Sequence, residues 1–246
     1  MKRLTVVIPV YNESGLLPRS FEQILAFLRE TADVAVDVVF VNDGSPDESL
    51  AVLEGLIREA DASARMRVIS YPKNRGKGYA VRQGVLAAEG DSILMSDADL
   101  STPLEEWRKL QAALDAGADV ACGSRAVDGA DVGKPPPFYR RILSKVFNVL
   151  VCLSGVRGIR DTQCGFKLFH RESGHALFSL LKIRRFAFDV ELIAVARMKG
   201  MRVAEVPVHW DYSGHSTVRV FSSGSRMLWD LMMLVLRRWF GGYRVK

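Results

Sequence analysis

The chain has 246 residues, of which 48% are hydrophobic and 25% charged, a composition that supplies a large buried core and excludes disorder throughout. Its three cysteines are odd in number, widely spaced and without C-x-x-C spacing. This usage argues against a disulfide framework and a cysteine zinc site, and it fits a reducing compartment.

Charge is divided unevenly along the chain. Residues 1–123 carry 13 Lys and Arg against 19 Asp and Glu, whereas residues 124–246 carry 21 against 9, for a formal net charge of +6. A basic second half predicts an anionic partner such as a phosphate or a membrane surface. We expect no nucleic-acid partner, because the sequence contains no recognised binding motif and no basic stretch interleaved with aromatic residues.

Apolar runs alternate with amphipathic segments in the first half. The runs predict strands at Leu4–Val10, Val36–Val41, Met66–Ser70, Ser92–Ser96 and Asp119–Gly123,. Helical periodicity predicts helices at Leu16–Glu30, Glu48–Ala60, Gly78–Ala88 and Leu104–Ala116,. This alternation predicts an α/β fold with a mainly parallel, Rossmann-like sheet and helices on both faces. The first apolar run is too short for a signal peptide, so we interpret it as the first strand.

The second half begins with a proline-rich tract at Asp128–Pro137, which predicts a loop within one domain of residues 1–246,. A further strand is predicted at Met201–Val208, and amphipathic C-terminal helices are predicted at Phe138–Leu153 and Arg226–Phe240. Neither helix has the ~20 uninterrupted apolar residues that are needed to span a bilayer.

Asp97 and Asp99 come directly after the predicted strand Ser92–Ser96. Open α/β sheets bind their ligands at the carboxyl ends of their strands. Two neighbouring carboxylates each raise the cost of ionising the other. A hard cation such as Mg²⁺ relieves this repulsion and takes its remaining ligands from phosphate oxygens and water. The pair predicts a site for a metal ion and a diphosphate, and a solvated turn is the alternative for a D-x-D taken alone.

Two other predicted strands end in residues suited to a nucleoside. Pro9 lies at the end of the first strand, Tyr11 and Glu13 follow it, and Asn42 and Asp43 follow the second strand. The Tyr11 ring can stack on a base, and the Asp43 carboxylate can accept a hydrogen bond from a base N–H or a ribose hydroxyl. A plain turn with a helix cap is the alternative for Asn42 and Asp43.

The loop from Lys73 to Gly78 has two glycines and three cations, Lys77 among them, just before a predicted helix. Such a helix N-terminus predicts an anion site. Solvated loop lysines are the alternative.

These strand-end motifs, in this order, resemble the nucleotide-sugar domain of the inverting, metal-dependent glycosyltransferases of the GT-A fold. Three further runs closely resemble the dolichyl-phosphate β-glucosyltransferases and are similar, more distantly, to the polyprenyl-phosphate mannose synthases: Gly123–Arg125, Val156–Phe169 and Arg185–Leu192. The resemblance extends from Thr5 to about Phe240. It implies a GT-A domain with a nucleotide-sugar-binding half at residues 1–125 and an acceptor-binding, membrane-facing half at residues 126–246.

The resemblance also implies roles for individual residues. The residues implied to bind the nucleotide sugar are Pro9, Tyr11, Glu13, Asn42, Asp43, Lys77, Asp97, Ala98, Asp99, Gln163, His215 and Arg219. The residues implied to be catalytic are Asp97, Asp99, Asp189 and Glu191, with Asp161 beside them on the sugar side of the cleft. The residues implied to hold a Mg²⁺ or Mn²⁺ ion are Asp97, Asp99 and Ser101, and those implied to hold the acceptor phosphate are Arg125, Arg140 and Ser144.

The sequence departs from the family at two sites. Asn42 stands where relatives usually have an aspartate, which leaves the nucleotide preference open. The lysine that relatives have after Ser216 is absent, with Arg219 and His215 as alternative replacements. For Asp189 and Glu191, salt bridges with the neighbouring arginines are the alternative to a role in the cleft.

The resemblance implies transfer of a hexose from a nucleotide sugar to a polyprenyl phosphate with inversion. We expect UDP-glucose as the donor, with GDP-mannose as the second choice. One alternative enzyme extends a polysaccharide or lipid-linked glycan and needs a carboxylate base at Asp189 or Glu191. A membrane-bound nucleotide-sugar sensor without turnover is the alternative outside the enzymes.

The acceptor implies work at a membrane surface, and we expect a peripheral protein on the cytoplasmic face. The predicted helices Phe138–Leu153 and Arg226–Phe240 are apolar and flanked by arginines, and the second carries Trp229 and Trp239. Amphipathic rings and cations are favoured in the headgroup region, and the length suits a helix that lies in the interface. A dimer interface or a plain core helix is the alternative.

Overall fold

The computed structural model describes residues 3–62, 65–134, 151, 156, 158–211 and 220–243. The strands in these ranges are β1 (Arg3–Val10), β2 (Ala35–Asn42), β3 (Met66–Ser70), β4 (Ser92–Met95), β5 (Val120–Ser124), β6 (Asp131–Lys134), β7 (Lys167–His170), β8 (Val203–Pro207) and β9 (His209–Asp211). The helices are α1 (Leu17–Glu30), α2 (Ser49–Glu59), α3 (Lys77–Ala87), α4 (Trp107–Asp115), α5 (Arg171–Leu180), α6 (Phe188–Met198) and α7 (Val220–Trp239).

Seven strands form one sheet in the order β3-β2-β1-β4-β7-β5-β8. All neighbouring pairs are parallel except those of β7, which runs antiparallel between β4 and β5. Helices connect the parallel strands and cover both faces, as the near-continuous apolar strands require. The predicted α/β fold class, with its mainly parallel sheet, is confirmed.

Alternation along β1 distributes the core between the two faces of the sheet. Val7 packs in a cluster with residues of α3, α5, α6 and α7, whereas Val6 and Ile8 pack on the opposite face with residues of α1, α2 and α4. Successive side chains of a strand point to opposite faces, so each face of the sheet has its own apolar core. Helix α7 joins the first core through Leu231 and Leu234.

The second half contains elements that the sequence did not predict. Strand β7 is four residues long, and Lys167 interrupts the short apolar run around it, so the sequence pattern predicts no strand there. The tract Asp128–Pro137, predicted as a loop, contains β6, which pairs in parallel with β9 in a separate two-stranded sheet. The predicted strand Met201–Val208 is β8, with β9 following after Val208.

The amphipathic C-terminal helix predicted at Arg226–Phe240 is found as α7, which is 20 residues long. Within the described ranges, no helix combines the length and the apolar character required to cross a bilayer. The predicted helix Phe138–Leu153 lies outside the described residues, apart from Val151.

Candidate active site

Three parallel strands bring the predicted site residues to one edge of the sheet. β1 is flanked by β2 and β4 in parallel register, so Pro9–Glu13, Asn42–Asp43 and Asp97–Asp99 lie at the same ends of neighbouring strands. Helix α3 begins at this edge with Lys77, after Gly76 at φ +100°. The sheet topology therefore brings the three strand-end motifs and the loop from Lys73 to Gly78 to one edge of the sheet.

Lys77 and Asp97 form an ion pair, with 2.6 Å between Lys77 Nζ and Asp97 Oδ1. This oxygen is shielded from solvent and is held by the ion pair rather than by a hydrogen bond. Burial opposes ionisation of Asp97, but the positive charges of Lys77, Lys167 and Arg125 outweigh it, so the pKa of Asp97 lies below its usual range. The carboxylate is therefore ionised at neutral pH.

The chain at Gly165 packs so closely against Asp97 that no side chain fits between them. A Cβ atom at position 165 would collide with the Asp97 carboxylate, which explains the glycine there. Ala98 is buried, and its carbonyl accepts a hydrogen bond of 2.7 Å from the Ser20 hydroxyl. Leu100 has a φ of +45°, a conformation that costs a non-glycine residue about 1–3 kcal/mol,. These contacts fix the direction in which Asp97 leaves β4.

Asp99 and Ser101 lie in the same tight turn. Asp99 Oδ1 accepts a hydrogen bond of 3.1 Å from the Ser101 backbone N–H, and the Ser101 carbonyl accepts one of 2.8 Å from the Asp211 N–H. The turn is thus connected to β9 and holds Asp99 close to Asp97.

The raised pKa of Glu13 reflects burial and the negative charges at this edge of the sheet. Burial raises its pKa to about 7, and the charges of Asp99, Asp47 and Asp97 add to the increase. Within the described ranges, no group of three or more His, Cys, Asp or Glu residues has the arrangement of a complete metal site. An acidic edge with two neighbouring carboxylates nevertheless fits Mg²⁺ or Mn²⁺, which take few protein ligands and complete their shell with phosphate and water.

A second, fully buried ion pair lies behind the first. Lys167 Nζ is 2.6 Å from Asp189 Oδ1 and donates a further hydrogen bond of 2.5 Å to the Cys164 carbonyl. Burial raises the pKa of Asp189, although Lys167 and Lys77 act in the opposite direction. The sequence analysis did not identify Lys167, whose signal is a single charged residue in the apolar run Phe166–Phe169.

Arg125 is held by Asp161 in a bidentate pair. Arg125 Nε and Nη2 donate to the two Asp161 carboxylate oxygens at 2.6 and 2.9 Å, and the Arg125 backbone N–H adds a third hydrogen bond. Glu205, a second residue that the sequence analysis did not identify, accepts from the Asp161 N–H at 2.8 Å and from the Ser124 hydroxyl at 2.7 Å. Gln163 is half-buried in the same loop. The predicted acceptor-side arginine is therefore prepositioned by the protein.

The structure differs from the predicted nucleoside contact of Asp43. Its carboxylate accepts hydrogen bonds from the Tyr71 hydroxyl, the Asn74 amide and the backbone N–H groups of Arg75 and Gly76, at 2.7–2.9 Å. These four donors use both oxygens fully, and Asp43 is 2% exposed. Its observed role is to hold the loop that leads to Lys77.

Asn42 is likewise occupied within the protein. Its side chain donates to the Ser70 hydroxyl at 3.0 Å and accepts from the Ser45 hydroxyl at 2.6 Å. Asn42 thus forms the local turn of the alternative interpretation, but without its helix cap, since α2 begins with no side-chain cap. Tyr11, in contrast, is 40% exposed, and Pro9 is half-buried beside it.

The structure also places Glu191 away from the open edge. Its side chain is completely buried and accepts hydrogen bonds from the backbone N–H groups of Lys182 and Ile183 and from the Tyr243 hydroxyl. The predicted catalytic role of Glu191 therefore conflicts with its geometry, because no reacting atom can reach it. Among the described residues, Asp189 pairs with Lys167 and Glu191 with backbone and tyrosine donors, in place of the alternative salt bridges to the neighbouring arginines.

Four predicted site residues lie outside the described residues: Arg140, Ser144, His215 and Arg219.

Comparison with known proteins identifies the family. Residues 5–178 match the sequence profile of glycosyl transferase family 2. The dolichyl-phosphate beta-glucosyltransferase of Drosophila melanogaster is 39% identical over 252 residues, which cover 98% of this chain and 77% of that protein. The protein of the same name from Homo sapiens is 38% identical over 255 residues, covering 100% and 78%.

A solved structure supports the fold. The glucosyl-3-phosphoglycerate synthase of Mycobacterium tuberculosis, crystallised with Mn²⁺ and UDP-glucose, superposes with a TM-score of 0.65 at 20% identity, over 96% of this chain and 79% of that one. This similarity confirms the predicted GT-A fold. The profile match and the similarity to these relatives show that this glycosyltransferase chain belongs to glycosyl transferase family 2.

Proposed function

We propose that this chain transfers glucose from UDP-glucose to a polyprenyl phosphate such as dolichyl phosphate, with inversion, and that it depends on Mg²⁺ or Mn²⁺. The observation that carries the proposal is the Asp97 carboxylate at the carboxyl end of β4, which is 2.6 Å from Lys77 and followed by Asp99. The names of the relatives, which the chain matches over 77% and 78% of their length, support the acceptor and the sugar. Residues 1–125 form the donor half, and residues 126–246 the acceptor half.

Asp97 and Asp99 are the residues that would hold the metal ion, with Ser101 as a third candidate. When bound, the ion supplies Lewis-acid stabilisation of the leaving diphosphate. Lys77 supplies a further positive charge at the same edge, since its pKa is raised by the carboxylates of Asp97 and Asp189 in spite of its burial. The chain thus provides both carboxylates for a cation and a lysine for the diphosphate.

The acceptor needs no strong base. A phosphate monoester has a second pKa of about 6, so it is mostly dianionic at neutral pH. One of its oxygens forms a bond with the anomeric carbon while the bond from that carbon to the diphosphate breaks, and the electron pair leaves on UDP. A single displacement of this kind inverts an α-linked donor to a β-linked product.

Arg125 is the described residue best suited to the acceptor phosphate. Its guanidinium uses Nε and Nη2 for Asp161, and a guanidinium has five N–H donors, so donors remain for a phosphate oxygen. Asp161 fixes the plane of the group, which reduces the entropy lost on binding. Arg140 and Ser144, outside the described residues, are proposed to complete this site.

The alternative of a glycan-extending transferase is less well supported by the geometry. A neutral hydroxyl acceptor requires a carboxylate base within hydrogen-bond reach. Asp189 is 4% exposed and paired with Lys167, and Glu191 is fully buried. Both candidate bases are thus enclosed by the protein.

We also propose that α7 and the residues after it lie on a membrane surface, on the cytoplasmic side. The exposed apolar side chains of this segment are Leu228, Trp229, Met232, Leu236, Trp239 and Phe240. Arg226, Arg237 and Arg238 lie in the same segment. Exposed aromatic rings beside arginines match the apolar and anionic zones of a lipid headgroup region. The free, buried thiols of Cys122 and Cys164 agree with a reducing compartment,.

The proposal is tested by incubating the protein with Mn²⁺, a polyprenyl phosphate in detergent and, in separate reactions, UDP-glucose and GDP-mannose, while nucleoside diphosphate release is followed. Release from UDP-glucose that depends on the polyprenyl phosphate supports the proposal. Release from GDP-mannose alone would reassign the donor, and binding without release would favour the sensor.

A further inference from the structure

The residues that follow α7 form hydrogen bonds with a buried carboxylate and a lysine. The proposed chemistry does not use these residues. The Tyr243 hydroxyl donates a short hydrogen bond to Glu191, and Lys182 Nζ donates one of 2.6 Å to the Gly242 carbonyl. The Lys182 ammonium also lies 5.5 Å from the centre of the Tyr243 ring. These contacts connect four residues: Lys182, Glu191, Gly242 and Tyr243.

Glu191 joins two segments of the chain. Besides the Tyr243 hydroxyl it accepts the backbone N–H of Ile183 at 2.7 Å and that of Lys182 at 3.0 Å. Residues 182–184 have no regular secondary structure. Because a buried N–H is costly to leave without a partner, the Glu191 carboxylate sets the position of this segment.

The 182–184 segment packs backbone to backbone against the start of α3. The Tyr79 N–H is shared between the Gly76 carbonyl at 2.9 Å and the Arg184 carbonyl at 3.0 Å. A Cβ atom at Gly76 would lie 2.5 Å from the Arg184 carbonyl oxygen, and one at Gly78 would lie 2.8 Å from the Ile183 carbonyl oxygen. The Phe188 side chain also packs against Gly78, where a Cβ atom would lie 2.7 Å from the Phe188 Cβ. Because the two segments are in direct contact, a shift of one moves the other, since packed interiors transmit strain.

Lys77 lies between these two glycines, and its ammonium is 2.6 Å from Asp97. The contacts form a continuous path from Tyr243 through Glu191, the 182–184 segment and the start of α3 to the Lys77–Asp97 pair. We propose that Glu191 and Tyr243 are positioning residues that couple the membrane-facing helix α7 to the donor-side lysine. The position of α7 relative to Glu191 then determines how well Lys77 is placed for the diphosphate. This consequence rests on the proposed function.

Tyr243→Phe is the sharpest test, because it removes the hydroxyl and keeps the ring over Lys182. Thr5→Val is the matched control: it removes another buried hydroxyl, which accepts the Gly90 N–H at 2.9 Å near the opposite end of β1. Hydrogen exchange of the Tyr79 amide is measured without any ligand, with the amide of Val39 in β2 as an internal reference.

We expect Tyr243→Phe to speed exchange of the Tyr79 amide by about tenfold relative to Val39, and Thr5→Val to leave this ratio unchanged. Equal protection in Tyr243→Phe and the unaltered protein would overturn the coupling. So would a rise in exchange at Val39 that matches the rise at Tyr79. This measurement does not depend on the proposed enzyme activity.

A double-mutant cycle tests the route through Lys77. Tyr243→Phe should weaken UDP binding in Mn²⁺ by about three- to tenfold in the otherwise unaltered protein, and by less than about twofold in the Lys77→Gln background. An equal loss in both backgrounds would overturn the route. If the unaltered protein does not bind UDP, the proposed function fails while the exchange result still decides the coupling.

Discussion

Lys77 Nζ lies 2.6 Å from Asp97 Oδ1, so a lysine neutralises the carboxylate that would hold a divalent cation. Both side chains are partly exposed, 23% for Lys77 and 39% for Asp97. In the proposed function, the lysine turns to the diphosphate when the donor binds, so metal binding and the position of Lys77 would depend on each other.

Asp97→Asn should lower the transfer rate by about 10²–10³-fold, because stabilisation of the leaving group by a metal ion contributes several kcal/mol. It should also lower the free energy of unfolding by about 1–3 kcal/mol, since Lys77 loses its charged partner. Initial rates and urea unfolding measure the two effects. Unchanged turnover in the variant, or in the unaltered protein with excess EDTA, would contradict the role of Asp97.

Lys77→Met should weaken UDP-glucose binding by about tenfold or more, a typical effect for loss of a charge-assisted hydrogen bond. Lys73→Met is the control, because Lys73 is exposed in the same loop and its loss should change affinity little. Calorimetric titration of each variant in Mn²⁺ compares them. Similar losses in both variants would assign the effect to the general charge of the loop.

Lys167→Met should destabilise the protein by about 3–5 kcal/mol, because Asp189 is left as an uncompensated buried charge. The double variant Lys167→Met, Asp189→Leu should recover much of this loss, since a buried ion pair is often no better than an apolar pair. Arg108→Ala is the control and should cost less than about 1 kcal/mol, as its pair with Asp33 is exposed,. A small loss in Lys167→Met would mean that Asp189 is neutral in the folded protein.

The raised pKa of Glu13 predicts a specific dependence of stability on pH. A carboxyl with a pKa of about 7 in the folded protein binds its proton more tightly than in the unfolded chain, so its stabilising contribution is lost as the pH rises through about 7. In EDTA, Glu13→Gln should therefore gain about 1–2 kcal/mol over the unaltered protein between pH 5 and pH 8, after allowance for its partial exposure. Parallel urea midpoints for the two proteins across this range would be inconsistent with the shift.

Replacement of both Trp239 and Phe240 by serine should release the protein from anionic liposomes. These side chains are 82% and 83% exposed, so their loss removes apolar contact with lipid and leaves the core unchanged. Met198→Ser is the control, because Met198 is 43% exposed and lies outside α7. Flotation assays compare the variants, and full binding by the double variant would shift the membrane contact to another surface.

The first half of the chain could be predicted because its signals are local. Apolar runs and helical periodicity indicated β1 to β5 and α1 to α4, and parallel pairing then brought Asp97 and Asp99 to the edge beside Lys77. Each of these steps depends on neighbouring residues or on a general property of parallel sheets.

The rest could not be predicted because it depends on contacts between distant parts of the sequence. β7 is inserted antiparallel, and its register places Lys167 opposite both Met95 and Cys122. Asp43 looks like a ligand-binding aspartate in sequence, but the donors that occupy it come from residues 71–76. Glu191 follows Asp189 by two residues, yet one faces the 182–184 segment and the other faces Lys167.

Glucosyl transfer to a lipid phosphate is measured best by detection of the product itself. The protein is incubated with UDP-glucose, a polyprenyl phosphate and Mn²⁺, and the lipid fraction is analysed by mass spectrometry and by proton NMR of the anomeric signal. We expect a lipid phosphate heavier by one hexose, with a β-anomeric coupling, and none of it with Asp97→Asn. An α-linked product, or glucose transferred only to a neutral hydroxyl, would overturn the proposed function.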